Sequence, residues 1–109
     1  GAFPFIGKVG NECSLEDAQE AARLCIVNML TALKGYLQDL NRIADIVKIQ
    51  VFVNSGTGFD RQHLVANAAS QLLVDIFGES GKHARTAVGV AQLPFNVPVE
   101  AEAIIILKQ

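Results

Sequence analysis

Residues 14–40, "SLEDAQEAARLCIVNMLTALKGYLQDL", set Ala22, Cys25, Met29, Leu33, Tyr36 and Leu40 at spacings of three and four, the period of an amphipathic helix. Ser14 three places before Asp17 approximates a capping box, and Glu16, Asp17 and Glu20 suit the positive end of the helix dipole. The period then changes to two. In "ADIVKIQVFVNS" (44–55) Val47, Ile49, Val51 and Val53 alternate with Lys48, Gln50 and Asn54, which predicts a strand with one buried face. "SGTG" interrupts it. Asp60 is placed to cap a second helix over "HLVANAASQLLVDIFG" (63–78), with Leu64, Ala68, Leu72 and Ile76 as its stripe and Gly78 as its stop.

Two more alternating runs follow. "ARTAVGVAQL" sets Val88 and Val90 against Arg85, Ala87, Gly89 and Ala91; "PFN" reads as a turn; "VPVEAEAIIILK" ends in a run apolar on both faces. Strand, helix, strand implies a right-handed crossover between parallel strands. The final strand is expected to return antiparallel, in a hairpin of 85–92 with 98–106. The fold class is α+β, two helices over one face of a mixed sheet, in a single domain spanning 1–109. Three strands are few for two such helices. Part of the sheet is therefore expected to come from a neighbouring chain or from strands outside this sequence.

Composition narrows the function. Half the residues are apolar, 18% are charged and mean hydropathy is +0.32, so some apolar surface is expected to enter subunit contacts. A net charge of −2 with no basic cluster argues against nucleic acid as a partner. No apolar run approaches a membrane span, and "GAFPFIGKVG" lacks the basic-then-apolar order of a signal peptide. Cys13 and Cys25 form neither a disulfide framework nor a zinc motif, which favours a reducing, cytoplasmic setting. His63 and His83 are not at metal-ligand spacing from one another or from the cysteines. "GTG" at 56–58 lacks the glycine pattern of a nucleotide loop, and neither histidine has an evident acid partner for covalent catalysis.

Arg85 and Glu100 carry the remaining chemistry. Fourteen residues without a charged side chain separate them. Arg85 shares a strand face with small side chains, Ala87, Gly89 and Ala91, that would leave a groove beside a fixed guanidinium fork suited to a carboxylate. It could equally be solvated at the strand's start. Glu100 and Glu102 could likewise be a wetted sheet face, or carboxylates bordering the apolar Ile104 and Ile106, where proton transfer would be favoured. In the hairpin Arg85 and Glu100 would be about 15–20 Å apart at about 3.4 Å per residue, so one shared site would need two subunits.

The stretch "ARTAVGVAQLPFNVPVEAEAII" resembles the C-terminal signature of the Rid family, the reactive intermediate deaminases also called YjgF/YER057c/UK114-like proteins. "GKVG", "EAARLCIVNMLTALK", "DIVKIQVFVNS" and "VANAASQLLVDIFGESGKHAR" extend the likeness from about Gly7, nearest to a less-characterised branch. The resemblance implies a chorismate-mutase-like fold and a homotrimer with sites between subunits. It also implies cofactor-free hydrolysis of enamine and imine acids to 2-keto acids and ammonia. By position, Arg85 matches the arginine that holds the substrate carboxylate, Glu100 the carboxylate that positions or activates water, and Asn67 a site asparagine one residue out of register. Ala87 replaces a pocket cysteine found in many members. The family's N-terminal strands, with a Tyr and a Ser of the site, have no counterpart here and are expected to lie outside this sequence. The competing expectation is a non-catalytic trimer that binds a keto acid or amino acid and signals its occupancy.

Overall fold

The structure is a computed structural model and describes residues 4–109; the first three residues of the N-terminal stretch read above lie outside it. Helix α1 (Leu15–Leu37) begins where Ser14 Oγ accepts the amide of Asp17 at 3.0 Å, with Glu16 and Asp17 in the first turn. It ends at a left-handed Gln38 that returns its amide to Lys34. Its buried line is Ala18, Ala22, Ile26 and Leu30, with Ala21 and Leu37 beside it. That line is rotated from the expected one: Cys25, Met29 and Leu33 flank the core, and Tyr36 is exposed. Small alanines share the buried line with Ile26 and Leu30, while Cys25, Met29 and Leu33 occupy its flank.

Helix α2 (Gln62–Phe77) packs against α1, and Gln19 Nε2 on α1 donates to the Leu64 carbonyl at 3.0 Å. It buries Val65, Ala66, Ala68, Ala69 and Leu73, again about one position from the expected stripe, and leaves Ile76 exposed. Asp60 does not cap it. Arg61 holds the cap position without a side-chain hydrogen bond, while Gln62 Nε2 closes the turn onto the Phe59 carbonyl at 2.8 Å. Gly78, at φ 63°, stops the helix as expected.

The sheet has the order β2-β1-β3, with β1 (Ile43–Asn54) central, β2 (Ala84–Val90) parallel to it and β3 (Val99–Leu107) antiparallel. The parallel crossover and the antiparallel return are as expected, but the hairpin is not, because β1 lies between β2 and β3. Ile49, Val51 and Val53 face the helices; α1 covers β3 and α2 covers β2. Val47 leaves that face because the β1–β3 register shifts between Ile46 and Lys48, so Ile46 is buried in its place. The opposite face carries exposed Val88, Ile104 and Ile106 beside Glu100 and Glu102.

Asn54 departs from the solvent-facing role that alternation assigns it, for it is fully buried at the end of β1. Its Nδ2 donates to Asn96 Oδ1 at 2.9 Å and to the Val97 carbonyl at 3.1 Å, and its Oδ1 accepts from Lys8 Nζ at 2.9 Å. Every polar atom is thereby satisfied, which removes the penalty of burying an amide. The turn it ties down holds Phe95 and Asn96 in left-handed conformations, φ 58° and 57°.

Candidate functional site

Arg85 enters near the start of β2, opposite Ile49, and so projects on the helix side of the sheet. Its Nη1 donates to Asn67 Oδ1 at 2.8 Å and to Ser70 Oγ at 3.1 Å. Asn67 and Ser70 are three apart on α2 and share a face. Ser70 Oγ in turn lies 2.8 Å from His83 Nε2, and His83 Nδ1 lies 2.5 Å from the Gly81 carbonyl. Gly81 is a position that only glycine fits: an added Cβ would fall 2.2 Å from the Leu73 carbonyl oxygen. The close approach seats the 78–81 turn against α2 and brings His83 over Ser70.

The guanidinium is exposed yet fixed, and among the described residues its hydrogen-bond partners are neutral and no carboxylate pairs with it. The groove expected along Ala87, Gly89 and Ala91 is largely filled. Ala87 is half-buried against the core, and an added Cβ at Gly89 would lie 2.9 Å from both Gln62 Nε2 and Ser55 Oγ. The small residues of β2 accommodate this chain's own side chains more than a ligand.

Glu100 lies elsewhere. It is opposite Phe52 on the far side of β1, whereas Arg85 is opposite Ile49. At about 3.3 Å per residue and about 4.8 Å per strand, their backbones are roughly 14 Å apart, and the odd offset along β1 puts them on opposite faces. The separation is somewhat shorter than the about 15–20 Å expected of a hairpin, and it has a different geometric origin: the two residues lie on strands either side of β1. Exposed Glu100 borders a cleft of about 280 Å³ between α1 and the edge of β3, lined also by Phe5, Leu24, Cys25 and Asn28. Cys25 Sγ lies 3.6 Å from the Val99 carbonyl; burial, then the nearby Glu100 charge, push its thiol above its ordinary value.

Arg85 and Asn67 are thus brought together, and Glu100 is not brought to them. Ser70, His83 and Cys25 are additions that sequence reading missed. The available signal for Ser70 was its i+3 position after Asn67; for His83 it was its place two residues before Arg85, at the entry to β2. Among the described residues there is no group of three or more His, Cys, Asp or Glu side chains able to hold a metal ion. No helix among them is long and apolar enough to cross a membrane.

The family model described as Endoribonuclease L-PSP matches residues 1–107. Protein TCP17 of Trypanosoma cruzi is 45% identical over 100 residues, covering 91% of this chain and 62% of TCP17. The RutC family protein PH0854 of Pyrococcus horikoshii is 31% identical over 104 residues, covering 95% of this chain and 73% of its own length. The crystal structure of Atu1372, a protein of unknown function from Agrobacterium tumefaciens, superposes with a TM-score of 0.95 at 45% identity, over 99% of this chain and 69% of that one. A Shewanella oneidensis structure named as a candidate endoribonuclease gives a TM-score of 0.93 at 26% identity, over 98% and 71%. The chain spans about two thirds of the length of these relatives.

Proposed function

The chain belongs to the L-PSP (YjgF/Rid/UK114) family, with its chorismate-mutase-like α+β fold, and on that premise we propose that it hydrolyses reactive 2-imino and enamine acids to 2-keto acids and ammonia. The observation that carries the reading is Arg85: a guanidinium fixed by two neutral oxygens and without a counter-ion among the described residues is a receptor for a carboxylate. Family names that speak of an endoribonuclease find less support in this chain. Its net charge is −2, and one arginine among neutral hydrogen-bonding groups is not a phosphate-tracking groove.

The chemistry needs little more than Arg85 and Glu100. The imine carbon is already electrophilic. Glu100 accepts a proton as water oxygen bonds to that carbon, the C=N π pair moves to nitrogen, and protonated Glu100 delivers the proton there, giving a neutral carbinolamine. The hydroxyl proton then passes through Glu100 to the nitrogen, the C–N bond breaks, and ammonia leaves as the freed oxygen pair closes the keto group. Because Arg85 and Glu100 lie on opposite faces roughly 14 Å apart, the arginine of one subunit would face the glutamate of the next. The exposed Val88, Ile104 and Ile106 supply an apolar face for such an assembly, a closed trimer with three shared sites.

The test couples an amino-acid oxidase to the protein, in the form that carries its full sequence, and traps residual imine with semicarbazide. Turnover should fall in Arg85→Ala by about 2–3 kcal/mol of transition-state binding, the scale of a charge-assisted contact. Glu100→Gln should abolish turnover while leaving 2-keto acid binding intact. Arg85→Ala and Glu100→Gln chains refolded together should regain part of the activity. A protein that binds keto acids through Arg85 but lowers semicarbazone formation for no imine in a broad panel is instead the non-catalytic binder.

A further inference from the structure

We infer that Ser70 and His83 are positioning residues that commit one nitrogen of Arg85 to the protein and leave its other edge to receive the ligand; this rests on the reading of Arg85 as the carboxylate receptor. A backbone carbonyl can only accept, so the 2.5 Å contact between His83 Nδ1 and the Gly81 oxygen places the imidazole proton on Nδ1. In the neutral ring Nε2 is then an acceptor, and Ser70, at 2.8 Å, donates its single hydroxyl hydrogen to it. With that hydrogen spent, the hydroxyl turns a lone pair to Arg85 Nη1 at 3.1 Å. Asn67 Oδ1 takes the other Nη1 hydrogen at 2.8 Å.

Both Nη1 hydrogens are thereby used, and the donors left are those of Nη2 and Nε, which point along one edge in the spacing of a carboxylate. Ser70 alone would not fix this arrangement. A helical serine can swing to its own i−4 carbonyl, here that of Ala66; the acceptor on His83 draws the hydroxyl hydrogen the other way. The order of dependence runs from the Gly81 carbonyl through His83 and Ser70 to Arg85.

Two readouts test it, one of them independent of any ligand. Side-chain NMR of Arg85 should show slowed rotation of the guanidinium in the unmodified protein. It should be fast in Ser70→Ala and His83→Leu, and slow again in His83→Gln, whose carbonyl oxygen can replace Nε2 as acceptor. In parallel, pyruvate affinity should drop about threefold to tenfold in Ser70→Ala and His83→Leu, the scale of one neutral hydrogen bond, and recover in His83→Gln. Unchanged Arg85 rotation in both Ser70→Ala and His83→Leu overturns the inference whatever pyruvate does. If Arg85→Ala binds pyruvate as well as the unmodified protein, the carboxylate reading fails instead, and the positioning role with it.

Discussion

Replacing Asn54 by alanine should be among the most damaging single changes to this fold. The side chain makes two neutral donations, to Asn96 Oδ1 and the Val97 carbonyl, and accepts one charge-assisted bond from Lys8. At about 1 kcal/mol for each neutral bond and about 1.5–3 for the bond to an ammonium, the gross loss is roughly 3–5 kcal/mol. Water entering the vacated space restores some of it, so a net loss of about 3 kcal/mol is expected. A domain of this size has about 5–15 kcal/mol in total, so the variant should fold but with a visibly lower midpoint. Equilibrium urea unfolding measures this directly. With a slope of about 1.5 kcal/mol/M the midpoint should fall by roughly 2 M, the slope itself unchanged. Asn54→Asp serves as the second arm: it keeps the contact to Lys8 but turns its remaining oxygen toward two acceptors, and should also be destabilised. A loss under about 1 kcal/mol in Asn54→Ala would refute the argument that this amide holds the 94–98 segment, and with it the approach to Glu100.

Gly81→Ala should cost at least about 2 kcal/mol, because its Cβ would fall 2.2 Å from the Leu73 oxygen and the backbone must move; thermal unfolding at the unmodified midpoint would disprove the packing account. Ser14→Ala should cost about 1 kcal/mol through loss of the cap on the Asp17 amide, measured by the same urea titration, with an unchanged midpoint as the contrary result. Cys25 tests a pH dependence. Burial first and the Glu100 charge second raise its folded value above the ordinary 9.0, so its contribution is complete below that value and is lost as pH rises through the folded one. The stability gap between the unmodified protein and Cys25→Ala should be constant below about pH 9 and move against the unmodified protein above it; a gap that stays flat through alkaline pH contradicts this.

Both helices and the three strands were legible in the sequence because each switch of apolar period falls at a clear break. The strand order was not. Seven residues separate the charge-free alternation ending at Ala91 from Val99, which suggests neighbours, yet β1 has twelve residues and two free edges, and both later strands pair with it. The helix stripes slipped by a position because the large apolar residues run round more than one face. The alanines at 18 and 22, ranked low by size, are fully buried in the core, while Ala21 lines the cleft beside β3. Asn54 reads as polar and outward by alternation alone; only the turn at 94–97, distant in sequence, makes its burial tolerable. Arg85 stood out as an isolated charge at the start of an otherwise uncharged strand, and Asn67 was accessible only through the family likeness. His83 was passed over because an acid partner was sought for it, whereas its partners are a main-chain carbonyl and a hydroxyl thirteen residues upstream.

The central position of β1 also sets an order of assembly. Its pairing with β2 closes through α2 alone, a short excursion with low entropic cost, so β1, α2 and β2 can condense first. Its other edge must wait for β3, where Ile43 pairs with Leu107 and the Lys108 amide reaches the Arg42 carbonyl. During synthesis β1 therefore leaves the ribosome well before its second partner exists, and a half-paired, valine-rich strand is the species most open to misassociation in that interval. Amide protons on the β1–β3 seam should gain exchange protection later than those on the β1–β2 seam, and loss of Ile105 to Leu107 should leave a collapsed but sticky intermediate in place of a weakened native state.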